Sequence, residues 1–129
     1  MKKGFTLLEM LVVIGIIAVL VGFGAISYST VQKKARDAKR QGDLKAAQQN
    51  LEQCYSRNSY QYPDITNAGN TISATCPGDA SPLFTIVDPL NTGTYKYTIS
   101  ESTPIGSTYT ITAPDLESST LPFSVSNQQ

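Results

Sequence analysis

The chain has no histidine and no tryptophan among its 129 residues. Without an imidazole it has no histidine general base, no histidine-based nucleophilic triad and no imidazole metal ligand. Only two cysteines are present, Cys54 and Cys76, and they form no C-x-x-C pair, so the ligand sets of structural zinc sites are missing as well. No stretch has the pattern of a nucleophile–base pair or a phosphate loop; neither an enzyme nor a cofactor is expected. Proline is absent before Pro63, which frees the first half of the chain from the strongest helix breaker. Net charge is also lacking, because ten basic residues balance ten acidic ones. That balance predicts no bulk attraction to nucleic acid, which is not an expected partner, or to acidic substrates.

What the chain does have is a long apolar stretch at residues 4–26, GFTLLEMLVVIGIIAVLVGFGAI, preceded by Lys2 and Lys3 and interrupted by a single charge, Glu9. About 20 apolar residues suffice to cross a bilayer core as a helix. A secretory signal would carry a shorter apolar core with its small-residue cleavage site after it. Here the small residue, Gly4, comes first, so cutting there would leave the apolar segment on the mature protein. Glu9 is costly in such a segment and needs a partner or a function. Between Gly4 and Gln32 there is no Lys or Arg to neutralise it. A cut between Gly4 and Phe5 would create the nearest cation, the Phe5 amine. A carboxylate resting at the headgroup boundary is the plainer alternative.

The run KGFTLLE, with the apolar tail behind it, resembles the processing site of type IV pilins and of the related pseudopilins of type II secretion. The resemblance implies a prepilin peptidase as partner, cleavage after Gly4, N-methylation of Phe5, and a Glu9 that pairs with the Phe5 amine of a neighbouring subunit. It further implies a homo-oligomeric helical filament, built at the assembly platform of a pilus or secretion machine from subunits first held in the membrane. The leader would face the cytoplasm and the head the outside; the filament would be extracellular, or periplasmic for a pseudopilus. Removal of residues 1–4 takes Lys2 and Lys3 away and leaves eight basic against ten acidic side chains.

Periodicity extends the helix from Phe5 to about Tyr55, some 75 Å at 1.5 Å per residue. Leu44, Ala47, Leu51 and Cys54 or Tyr55 recur at helical spacing and form the stripe on which a sheet would pack. Gly15, Gly22 and Gly24 interrupt a strong helix former. Many type IV pilins carry a proline near the position of Ile26, where the helix loosens on assembly; this chain lacks it. Gly22 and Gly24 would either permit the same loosening or let helices pack closely.

Residues 33–45, KKARDAKRQGDLK, hold six basic residues against Asp37 and Asp43. Three readings stay open: a solvated or subunit-facing helix surface with some i,i+4 pairing, attraction to lipid headgroups, or contact of the assembled filament with DNA phosphates. The same run opposes the orientation given above under the positive-inside rule. Orientation therefore rests on the resemblance, on the cysteines and on the secreted-looking second half.

The run RNSYQYP at residues 57–63 ends the helix. Residues 64–82 are rich in loop formers, with at most one short strand. Strands are expected at residues 94–100 and 108–113, from the alternation of Tyr95, Tyr97 and Ile99 and of Tyr109, Ile111 and Ala113. A hairpin loop at residues 101–107 with Pro104 and Gly106 would join them. Leu121, Phe123 and Val125 suggest a last strand, confined to an edge by Pro122, and residues 83–87 another. The fold class is thus α+β: a leader (1–4), a transmembrane or filament-core helix (5–27), its amphipathic continuation (28–56), and a small antiparallel β-sheet head (57–129). A Cys54–Cys76 disulfide suits a head held outside the cytoplasm, against two separate buried thiols. Major pseudopilins often carry a calcium loop near the C-terminal end; Asp115 and Glu117 fit it loosely, far short of the 6–8 oxygens needed. No metal is expected.

Three functions compete. The first is a pilin of a type IV pilus-like filament; the second is a major pseudopilin of type II secretion. The third, a monomeric membrane-anchored binding domain, leaves Glu9 and the Gly4–Phe5 junction unexplained.

Overall fold

The computed structural model describes residues 4–101, 106–119 and 121–128, apart from the side chains of residues 25–27. The first three leader residues and most of the expected loop at 101–107, Pro104 included, lie outside the described residues. One helix, α1 (Leu7–Arg57), organises the chain and runs unbroken past Gly15, Gly22 and Gly24. Its described side chains up to Ala35 are all exposed, and only its second half touches the head.

The expected α+β arrangement is present, with the head's strands divided between two antiparallel three-stranded sheets. The first holds β1 (Ile65–Ala68), β2 (Thr71–Ala74) and β3 (Phe84–Val87) in that order. The second holds β4 (Thr98–Glu101), β5 (Tyr109–Ala113) and β6 (Phe123–Ser126) in that order. Two strands, not at most one, therefore occupy residues 64–82. They close through Gly69 at φ +70°, with Ala68 opposite Thr71. That left-handed position is one glycine adopts without steric penalty. The first strand of the second sheet starts later than its alternation predicts, because a Thr92–Tyr95 bridge holds the chain in a turn around Gly93.

The two sheets meet at β1 and β4 without a shared ladder. The Glu101 carboxylate accepts the Ile65 N–H at 3.1 Å, and the Gly106 carbonyl accepts the Tyr62 N–H at 3.0 Å. A side chain thus satisfies an amide that a strand carbonyl would otherwise take, and the sheet divides there.

The core forms where the α1 stripe meets both sheets. Leu44, Ala47 and Leu51 are fully buried against Ile65, Ile72, Phe84, Ile86, Tyr97, Tyr109, Ile111 and Val125. Each such Leu or Ile contributes about 1.5–3 kcal/mol relative to exposure. Tyr55 stacks on Tyr62 at 4.5 Å between centroids, and Tyr62 meets Tyr109 edge-on at 4.8 Å. Tyr62 and Tyr109 both donate their hydroxyls to Glu52, at 3.0 and 3.2 Å.

The end of α1 is stapled. Cys54 and Cys76 form a disulfide with their Cα atoms 5.8 Å apart, and Arg57 pairs with Asp79 at 3.3 Å on the surface. Beyond Arg57 the chain turns through two non-glycine residues in left-handed conformation, Ser59 (φ 53°) and Tyr60 (φ 61°). The Tyr60 N–H donates back to the Tyr55 carbonyl at 3.2 Å and the two rings meet edge-on. This is the bond and the side-chain contact of a Schellman-type cap, with serine where glycine is usual.

Candidate functional site

At the head of α1, residues 4–6 are outside the helix and exposed. Thr6 is the N-cap, with an extended backbone. Its hydroxyl oxygen accepts the Glu9 N–H at 3.2 Å, and Glu9 Oε2 accepts both the Thr6 N–H at 2.7 Å and the Thr6 hydroxyl at 2.8 Å. Such a reciprocal capping box satisfies amides that every helix start leaves orphaned. Its signature, Thr6-Leu7-Leu8-Glu9, lies within the KGFTLLE run, and it gives Glu9 a polar partner that is not a cation. Both bonds to Glu9 end on Oε2; among the described residues Oε1 has no partner. All atoms of the box belong to Thr6 and Glu9, so it lies wholly on the C-terminal side of the Gly4–Phe5 bond.

Gly4 serves no packing purpose within the chain. A Cβ added there meets nothing within 4 Å, and its φ is not in the left-handed region. The same open space surrounds Gly15, Gly22 and Gly24, so a need for small residues there would come from outside the single subunit. On either side of the cap, Phe5, Leu7, Leu8, Leu11, Ile14, Leu20 and Phe23 are all at least 60% exposed. This stretch of α1 is long and apolar enough to cross a membrane, and none of it is buried within the chain. A contiguous apolar surface of that extent marks a membrane or protein interface.

The basic segment at residues 33–45 is divided in two. Arg40 is completely buried. It forms a two-pronged pair with Asp88, Nε to Oδ2 at 2.7 Å and Nη2 to Oδ1 at 3.0 Å, and binds Asp37 through Nη1 at 2.7 Å. Its guanidinium also lies 5.0 Å from the centre of the Tyr95 ring. Arg36 grips Glu117 with both prongs, Nη2 to Oε2 at 2.6 Å. Asp37 accepts the Glu117 and Ser118 N–H groups at 2.9 and 2.7 Å, together with the Ser118 hydroxyl. Burial works against the ionised Asp37, yet the Ser118 hydroxyl, these amides and Arg40 together hold its pKa below the usual range. The Arg36 hydrogen bonds do the same for Glu117, against a smaller effect of burial. The plain reading of a solvated surface therefore fails for Asp37 and Arg40, because their partners come from loops 48–81 residues away. Lys33, Lys34, Lys39 and Lys45 stay exposed.

The arrangement is a fully partnered ionic clamp. It offers no free nucleophile or base. Glu117 is committed to Arg36 and Arg40, while Asp115 lies half-buried two residues before it. Among the described residues, neither of these two weak calcium candidates belongs to a group of three or more His, Cys, Asp or Glu side chains placed to hold a metal ion.

Two family models match. The prokaryotic N-terminal methylation motif matches residues 1–25. The family described as type IV minor pilin ComP, DNA uptake sequence receptor, matches residues 27–120. No curated protein and no solved structure gives a significant match. The second family covers most of the chain and the first covers the junction and apolar helix described above, so the chain belongs to the type IV pilin family, with the ComP-type minor pilins as the matching group.

Proposed function

We propose that the chain is a subunit of a type IV pilus-like filament, made as a membrane-inserted prepilin. A prepilin peptidase hydrolyses the Gly4–Phe5 amide, releasing residues 1–4, and a methyl donor then supplies one methyl group to the new Phe5 amine. The head lies outside the cytoplasm, and subunits leave the bilayer by packing their apolar helices in the filament core. The observation that carries this reading is the start of α1. An exposed, non-helical Gly4–Phe5 bond precedes a capping box that survives the cut, and Gly4 answers no structural need of the subunit. Glu9 Oε1 then remains for the Phe5 amine of a neighbour, in a filament core where an unpaired charge is costly. The match to a pilin family favours a pilus over a type II secretion pseudopilus.

The test uses two variants in cells. Gly4→Val should accumulate uncut precursor and give no filaments. Glu9→Val should be cut, disulfide-bonded and retained in the membrane, yet yield few filaments alone. An intact Met1 on the mature wild-type protein would remove this reading in favour of a monomeric anchor, and wild-type filament yields from Glu9→Val would remove the carboxylate from the positioning of an incoming subunit.

The matching family is described as a receptor for the DNA uptake sequence, which supports a second role in which the filament contacts duplex DNA. The exposed Lys33, Lys34, Lys39 and Lys45 are the cations available for phosphates. Salt-dependent binding of duplex by purified filaments, weakened when these lysines are replaced by glutamine, is the expected result. Filaments that ignore duplex at low salt would exclude it.

A further inference from the structure

We propose that Lys33 and Lys34, together with Tyr28, form a contact with anionic lipid headgroups that sets the depth of the unassembled subunit in its membrane. The inference rests on the membrane insertion proposed above. The helix from Leu7 to Ile26 makes about 30 Å, enough for a hydrocarbon core of about 30 Å. Tyr28 follows two residues later and is 66% exposed, the placing and the amphipathic character of an interfacial aromatic anchor. Lys33 and Lys34 lie about 10–12 Å beyond Ile26 along the axis. A headgroup layer of about 5–8 Å begins at the hydrocarbon edge, and flexible lysine stems reach back towards it.

The structure singles out these cations. Arg36 and Arg40, the two arginines of the basic segment, turn into the head and are bound by Glu117, Asp37 and Asp88. Lys33 and Lys34 are exposed and have no carboxylate partner among the described residues. They point to sides of α1 roughly 100° apart, with Lys39 on a third side. Cations on several sides of a helix suit a plane through which the helix passes. A rod of duplex DNA would approach from one side and would there meet the head. With Asp88 and Glu117 neutralised by Arg40 and Arg36, the head from residue 57 onward carries Arg57 and Lys96 against Asp64, Asp79, Glu101 and Asp115. That surface offers a polyanion lying across it no net attraction, whereas a leaflet stays below it. The observations favour lipid.

The experiment reconstitutes the full chain in vesicles of phosphatidylcholine, with spin-labelled phosphatidylglycerol or spin-labelled phosphatidylcholine as probe. The protein should float with the vesicles and enrich labelled phosphatidylglycerol several-fold at its boundary, less so at high salt. Combined Lys33→Gln and Lys34→Gln should erase the preference, while Lys45→Gln, about 28 Å beyond Ile26, should leave it intact. Equal association of both lipids with floating wild-type protein overturns the contact and spares the membrane reading. Failure to float with either lipid overturns both. A short duplex is added in a separate arm. Loss of duplex binding in the double variant with lipid preference unchanged would assign these lysines to nucleic acid and overturn the proposal.

Discussion

Arg40, in the middle of a helix, is bound through two hydrogen bonds to Asp88 in the segment after β3, 48 residues further on, and neither side chain sees solvent. Removing one partner of a buried ion pair is costly because the other charge stays behind. Arg40→Met leaves Asp37 and Asp88 without their cation and should destabilise the head by about 3–5 kcal/mol. Arg40→Lys restores the charge but not the planar fork, so it should fall between. Urea unfolding of the detergent-solubilised chain, followed by tyrosine near-ultraviolet dichroism, measures both. Unchanged unfolding midpoints would mean that the clamp does not hold the head to α1.

The same cluster sets the acid limb of stability. Asp37 and Glu117 have folded pKa values below their ordinary ones. The folded state therefore binds fewer protons than the unfolded state in the window around and below pH 4. Their contribution is fully present above that window and is lost as pH falls through the folded values. Melting temperature should be flat between pH 6 and about pH 5, then decline. Asp37→Asn should lower the plateau and flatten the decline. An equally steep acid limb in that variant would place its cause elsewhere.

Ser59 occupies the left-handed position after the helix at a steric penalty that glycine does not incur. Ser59→Gly should stabilise the head by up to about 1 kcal/mol, the left-handed strain relieved less the extra entropy of glycine in the unfolded chain. The gain is read as a higher urea midpoint with unchanged slope. A loss would mean that the serine side chain supports the turn in a way its backbone angle does not reveal.

Local signals in the chain carried far, and non-local ones did not. The stripe Leu44, Ala47, Leu51 and Cys54 was legible because burial follows the 3.6-residue period, and all four are fully buried. Tyr109, Ile111 and Ala113 were legible through their alternation. The strands at Ile65–Ala68 and Thr71–Ala74 were obscured because they are four residues long and half polar; the Gly69–Asn70 turn between them was the available signal. At the candidate site, the Gly4–Phe5 junction and Glu9 stood out by their contrast with the apolar run. The role of Thr6 was also present, in T-x-x-E spacing. Nothing in the local pattern of residues 33–45 distinguishes Arg40 from Lys39, because what separates them is Asp88 and Glu117, brought in by tertiary folding.

The clamp also bears on how this sequence can change over generations. Arg40, Asp37 and Asp88 meet in a dry space, where losing any one strands the others and where apolar substitutes succeed only if introduced together. Single-step drift at these positions passes through weakened subunits. Among descendants of this chain the three should be inherited as a block, retained together or replaced together, while Lys39, one residue from Arg40, changes independently of them.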